Sequence, residues 1–439
     1  MLRVLNASEV LRQRRRAVDD ATLIEAGKIV SDVRQRGMVA LRAHAERLGD
    51  IAPSVSGTNP KPLLLGRADM EAALKAIDAG TREVLHAAAA DIRAFAQAQR
   101  RCLADLHMLV PGGAAGHWVR PVASAGCYAP GGRFPLPSSV LMTAVTARAA
   151  GVKTVVVASP KPAPATLAAA AIADADLFLP CGGAHAIAAL AYGCHGEDRG
   201  GEWQAIPACD ALVGPGNRWV TAAKQLVAGD VAIDMLAGPS ELLVIADGSA
   251  RASVIAADLL AQAEHDDDAV PMLVVIDGGG GAALIARVNT ELSRQLESLP
   301  TRETAERALN NGFAVLAATR GEAIALSDRL GPEHLQVQTH DADALARELS
   351  SYGAIFVGEH AAEVVGDYGV GPNHVLPTGG TARAHAGLSV LHFLKARTWL
   401  RMTPGEAASA IYRRTAAFAR VEGLEAHARA ADARNVPTP

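Results

Sequence analysis

From about residue 120 the apolar positions fall into short continuous runs, separated by longer amphipathic stretches. "KTVVVAS" (153–159), "DLFLP" (176–180) and "DALVG" (210–214) are brief and bounded by turn residues, which reads as buried strands. Between and after them, "SSVLMTAVTARAAG", "PATLAAAAIADA", "AHAIAALAYG" and "NRWVTAAKQLV" have the length and spacing of helices. A second set follows. "ELLVIAD", "PMLVVID", "FAVLAAT", "LQVQ" and "GAIFVG" read as strands, with the helix "ARASVIAADLLAQAEHD" between the first two. Strand, turn and helix in alternation predict parallel sheets with crossover helices, here in two α/β units. Residues 1–110 read as helical, with the Pro/Gly/Ser-rich loop "DIAPSVSGTNPKP" (50–62) between two helical stretches. The last 55 residues, from about 385, read as a helical, Ala/Arg-rich appendage.

A chain of 439 residues is long for one core. Half its residues are apolar, a fifth are charged and the net charge is −4, which fits a globular protein and excludes a nucleic-acid binder. The basic run "RQRRR" at 12–16 is short, is followed by Asp19 and Asp20, and reads as a solvated helix face. The five cysteines form no C-x-x-C pair, so they read as reduced, mostly buried thiols in a cytoplasmic protein. No secretory signal and no membrane-spanning run is expected.

Several stretches carry possible chemistry, each with a plainer reading beside it. "DGGGGAALIARVN" (277–289) fits G-x-G-x-x-G/A, but a run of glycines fits almost any Gly pattern, and no acidic ribose partner follows. A plain strand-to-helix turn is expected there. "ALVGPGNRWV" (211–220) puts glycines after a strand and Asn217 at a helix start, which suits either turn chemistry or a phosphate site. "CYAPGGRFPLPSSVLM" (127–142) is either a structured loop or a loop over a cofactor, with Tyr128 at its start. "GPEHLQV" (331–337) sets Glu333 beside His334 ahead of a strand, either a surface pair or a general acid/base. "VVGDYGVGPNHVLPTGGTAR" (364–383) crowds glycines around Asp367, which points to a function for that carboxylate. Gln262 and His265 in "LLAQAEHDDD" stand three apart on one expected helix. "VEGLEAHARAADARN" (421–435) reads as one helix carrying Glu422 and His427. Gln262, His265, Asp367 and His427 together would make an N/O site suited to a borderline cation such as Zn²⁺, provided the fold brings them together.

The motifs "YAPGG…PSSVLM", "GGAHAIAALAYG", "VGPGN", "DMLAGPSELLVIAD", "AQAEHD", "PEHL", "GAIFVG", "GDYGVGPNHVLPTGGTAR" and "EGLEAHA" stand in the order found in histidinol dehydrogenases, and the chain resembles that family over nearly its whole length. The resemblance implies oxidation of L-histidinol through the aldehyde to L-histidine with two NAD⁺ in turn. It implies one Zn²⁺ per subunit on Gln262, His265, Asp367 and His427, and an acid/base pair at Glu333 and His334. Substrate contacts would fall on Ser240, His334, Glu422 and the ligand positions, and NAD⁺ contacts on Tyr128, His185 and Asn217. At 185 this chain has His where the family usually has Gln. The segment 194–210 also departs from the usual form.

The implied fold is two Rossmann-like parallel-sheet units, incomplete and without a standard dinucleotide fingerprint, with helical extensions at both termini in a domain-intertwined homodimer. The expected division is an N-terminal extension at 1–24, a first α/β domain from 25–135 and 242–383, a second on the NAD⁺ side at 136–241, and a tail at 384–439 that completes the partner's site. A related dehydrogenase of another small polar alcohol, such as a sulfonated diol, is the alternative enzyme. A nucleotide-binding protein that lost catalysis is the alternative class.

Overall fold

In the computed structural model, residues 1–12, 18–53, 63–131, 135–197 and 203–435 are described. The basic run at 12–16 lies outside them beyond its first residue, as do 54–62 of the Pro/Gly loop and 198–202 of the divergent segment. The chain divides into two units. One comprises 1–97 and 123–393, the other 98–122 and 394–439.

The first unit holds both predicted parallel sheets. In one, strands run in the order Ala232–Ile233, Ala211–Val213, Ser124–Tyr128, Thr154–Ala158, Leu177–Leu179, with every neighbouring pair parallel. Chain order in that sheet is therefore the doubly wound 3-2-1-4-5 pattern. The second sheet repeats it with Glu241–Ala246 at its centre, flanked by Val270–Ile276 and Phe313–Ala317 on one side and His334–Gln338 and Ala354–Val357 on the other. Arg3–Val4 adds a parallel edge strand beside Phe313. The strands are near-continuous apolar runs because helices cover both faces of such sheets. Ile255, Leu259, Leu284 and Val288 pack on one face of the second sheet, and Ala323, Leu326 and Leu345 on the other.

These pairings move the expected boundaries. Ser124–Tyr128, expected in the first α/β domain, is the central strand of the sheet formed by the expected second domain, 136–241. Helix Asp20–Arg36 also belongs there, with Ala26, Val30 and Val33 packing among Ile187, Leu190 and Val220. Its start is fixed by Asp19, whose carboxylate accepts from the Thr22 N–H at 2.8 Å. The N-terminal residues are not a purely helical extension, since Arg3 and Val4 are in a sheet.

The second unit corrects the reading of the tail. Leu394–Met402 is a nine-residue strand, antiparallel to Gly113–Pro121, which in turn pairs with Leu106–Val110. Two helices follow, Glu406–Val421 and Glu425–Asp432, broken at Gly423, whose φ of 75° favours glycine. The buried apolar residues between them are Ala416, Ala419, Ala428 and Ala431.

Candidate active site

The doubly wound order predicts a crevice beyond the carboxyl ends of strands 1 and 4, where the crossovers diverge. In the sheet centred on Ser124–Tyr128 those ends are Tyr128 and Val213. A cavity of about 790 Å³ opens there, and Tyr128, His185 and Asn217 all line it, with Lys28, Arg47 and Asp32. Tyr128 is buried, and its hydroxyl accepts from the Gly183 N–H at 3.3 Å. Asn217 caps helix Arg218–Val227 through its side-chain carbonyl, which accepts from Trp219 and Val220. Only the amide nitrogen of Asn217 is therefore left for a ligand. His185 is buried and bonds Asp50 through Nε2 at 2.9 Å, while Asp50 also accepts from the Gly182 N–H. Nδ1 of His185 has no protein partner.

The "VGPGN" turn is pinned from below. The Asp234 carboxylate accepts from the Gly214 N–H at 2.7 Å and pairs with Lys224, which donates to the Gly214 carbonyl at 3.0 Å. Gly214 has φ 118°, and a Cβ there would lie 1.9 Å from the Tyr128 carbonyl. "DGGGGAALIARVN" is the plain turn expected, with Asp277 accepting from Gly279 and Gly281.

In the other sheet the chemistry lies at the amino ends of the same two central strands. Glu333 stands immediately before strand His334–Gln338, and Ser240 immediately before Glu241–Ala246. The backbone of Glu241 holds both halves of the pair. Its N–H donates to Glu333 Oε2 at 2.8 Å, and its carbonyl accepts from His334 Nδ1 at 3.2 Å. That bond commits the proton to Nδ1 and leaves the lone pair on Nε2, which has no protein partner. Burial raises the Glu333 carboxyl well above its ordinary value, opposed by the Glu241 N–H. Burial takes His334 down to about 3, helped by His265 and His374.

His265 and Asp367 meet beside this pair. Ligand atoms of His265, Asp367 and Glu363 lie within 4.8 Å of one another. Gln262 is fully buried, and neither its amide oxygen nor its nitrogen has a protein partner. An amide in that condition costs several kcal/mol unless something coordinates it. The mixed nitrogen and oxygen donors fit a Zn²⁺ ion. Burial raises Asp367 to about 7 and Glu363 well above its ordinary value, the latter also repelled by Asp367 and Glu333. A bound cation would reverse both shifts by favouring the carboxylates.

Helix Ala252–Ala263 ends before His265, so Gln262 and His265 are joined by a turn rather than by a shared helix face. Glu363 was not singled out from sequence. Its signal is a carboxylate one helical turn ahead of Asp367, and both lie on the short helix Glu363–Tyr368. Glu422 and His427 belong to the second unit, where both are exposed, on either side of the helix break.

The sequence profile of histidinol dehydrogenases matches residues 12–435. A histidinol dehydrogenase from Thermus thermophilus is 46% identical over 359 residues, covering 82% of this chain and 83% of that protein. One from Geobacillus kaustophilus is 42% identical over 429 residues, covering 96% and 94%. The crystal structure of histidinol dehydrogenase from Elizabethkingia anophelis superposes with a TM-score of 0.87 at 28% identity, covering 99% of this chain and 98% of that one.

Proposed function

The chain belongs to the histidinol dehydrogenase family, NAD-dependent oxidoreductases of histidine biosynthesis, and from that premise we propose that it takes L-histidinol through L-histidinaldehyde to L-histidine with two NAD⁺ in turn. One observation carries the reading: a buried Glu333–His334 pair, both held by the backbone of Glu241, stands beside the clustered donors His265 and Asp367. His334 Nε2 takes the hydroxyl proton as hydride leaves for the nicotinamide. Glu333, whose basicity is raised by burial, then draws a proton from water as that water attacks the aldehyde. Ser240 lies next to the peptide that holds the pair and contacts the substrate. Tyr128, His185 and Asn217 hold the nucleotide in the cavity they line.

Gln262, His265, Asp367 and His427 of the partner subunit would hold one Zn²⁺. Bound there, the ion supplies Lewis-acid polarisation and a template for the substrate. The exposed apolar surface of the second unit supports the homodimer. Met108 and Leu400 flank Ala115 on one sheet face, 51% and 67% exposed, and Phe418 and Val421 are exposed on the following helix. A second copy covering this surface brings Glu422 and His427 to its partner's substrate. No helix among the described residues is long and apolar enough to cross a membrane. Four of the five cysteines are buried and all are free, which supports a cytoplasmic setting.

The test is NADH yield from limiting L-histidinol with excess NAD⁺ and zinc. Two NADH per histidinol, with histidine as product, is the expected result. No NADH from a folded, zinc-loaded dimer would shift the substrate to another small polar alcohol.

A further inference from the structure

Side chains 334, 336 and 338 point to one face of their strand, and Leu335 and Val337 to the other. The latter two join the apolar core with Leu243 and Ile245. The former three are His334, Gln336 and Gln338, all buried, 5%, 0% and 2% exposed. An unbroken polar row under a sheet is costly unless it is wetted or used.

The row continues beyond the site described above. Gln336 Oε1 and Gln338 Oε1 have no protein partner, as is true of His334 Nε2 and both Glu363 carboxylate oxygens. Gln338 donates to Asp258 Oδ2 at 2.8 Å, and the Gln336 amide lies beside the same carboxylate. Asp258 sits one helical turn before Gln262, on the same helix face. Glu363 Oε1 lies 3.7 Å from His334 Nδ1, and the Glu363 carboxylate feels the charges of Glu333, Asp367 and Asp258. The polar groups are therefore contiguous from His334 to Asp258. At ~3.3 Å per residue the strand spans about 13 Å over that distance. Asp258 is itself 9% exposed and lies within reach of Glu359, whose side chain is 24% exposed and pairs with Arg251.

We propose that Gln336, Gln338 and Asp258 line a water-bearing proton outlet that runs from His334 along the face of the strand to the surface beside Glu359. The inference rests on the oxidation proposed above. Alcohol, water and two NAD⁺ on one side, against carboxylate and two NADH on the other, leave three protons to be released. When His334 Nε2 accepts the hydroxyl proton, hydride goes to NAD⁺ and the imidazole becomes cationic. Loss of the Nε2 proton to a water in the row returns His334 to the Nδ1–H form held by the Glu241 carbonyl, with its Nε2 lone pair free for the next round. The glutamine amides each offer a donor and an acceptor, so they orient water without holding the proton. Asp258 receives it at the outer end. Burial raises this carboxyl to about 6, near neutrality, where a proton can be both taken up and lost.

The test uses the zinc-loaded enzyme with Asp258→Asn and, separately, Gln336→Met, which keeps the volume and removes the amide. We expect kcat for histidinol oxidation to fall at least about tenfold in each, with KM and zinc content unchanged. The solvent deuterium isotope effect on kcat should rise, and added imidazole buffer should restore part of the rate in Asp258→Asn. Wild-type kcat and isotope effect in either variant would overturn the proposal. So would a loss of rate that leaves the isotope effect unchanged and that imidazole does not relieve. The NADH yield of the wild-type chain reports on the reaction alone, so failure of that reading and failure of the outlet are distinguished.

Discussion

Asp258→Asn should make the protein more stable while making it slower. Burial raises the Asp258 carboxyl from 3.8 to about 6 in the folded chain, against the lowering influence of Gln336 and Gln338. The folded state therefore binds this proton more tightly than the unfolded state does. The favourable linkage is fully present below pH ~4 and is lost as pH rises through about 6. Above that, the ionised carboxylate costs the fold roughly 3 kcal/mol, at 1.36 kcal/mol per pKa unit. Asparagine keeps the shape and the acceptor for Gln338 but carries no charge to desolvate. Its advantage should be near zero at pH 4, grow between pH 4 and 6, and level off above pH 7. With an unfolding entropy of ~2.1 cal/mol/K per residue over the whole chain, that corresponds to a rise in Tm of about 3 °C at pH 8. Paired thermal scans of the two proteins at pH 4.5 and pH 8, at one protein and zinc concentration, make the comparison. A variant destabilised at pH 8, or a difference independent of pH, would refute the claim that Asp258 is a strained buried acid.

Other outcomes follow from the same geometry. His334→Asn should lower turnover by roughly 10²–10⁴-fold with zinc still bound, measured by steady-state kinetics beside metal analysis, because Nε2 is the only base it removes. Glu333→Gln should slow oxidation of supplied histidinaldehyde more than oxidation of histidinol, and equal losses would remove its role in activating water. Asp234→Asn leaves Lys224 buried without its counter-charge, so it should cost about 3–5 kcal/mol in urea unfolding and raise KM for NAD⁺ more than it lowers kcat. An inactive His427→Ala chain co-assembled with an inactive His334→Asn chain should regain activity in purified heterodimers, since in the proposed dimer one of the two shared sites would then be intact.

The alternating part of the chain was legible because a parallel sheet buried on both faces writes itself as short apolar runs between helices. "KTVVVAS", "DALVG", "PMLVVID" and "FAVLAAT" became strands at nearly the residues expected. Which runs pair was not legible, because pairing depends on crossovers that leave no local mark. Ser124–Tyr128 therefore fell on the wrong side of the expected boundary. The strand Leu394–Met402 did leave a mark. Leu394, Ala396, Leu400 and Met402 alternate with Lys395, Arg397 and Arg401, a period of two that the Ala- and Arg-rich helices after it obscured.

The site divides along the same line. Tyr128 and Asn217 stand at strand ends where the doubly wound order places ligands, so topology alone would find them. Glu333, His334 and Ser240 occupy the opposite ends of the central strands in the second sheet, a position for which that rule offers no warrant. Their motifs drew attention for another reason: a carboxylate beside an imidazole, and a crowd of glycines around Asp367. Glu363 and Asp258 carry no such signature. Each is one acidic residue on a helix, and from sequence such residues read as solvated. Each stands one helical turn before a residue that sequence did single out, Glu363 before Asp367 and Asp258 before Gln262. A functional side chain on a buried helix face commits the positions one turn away to the same polar environment. An acid there must either be satisfied or be used. That makes the turn before a recognised ligand the place to search for the next member of a buried site, and here it yields both carboxylates.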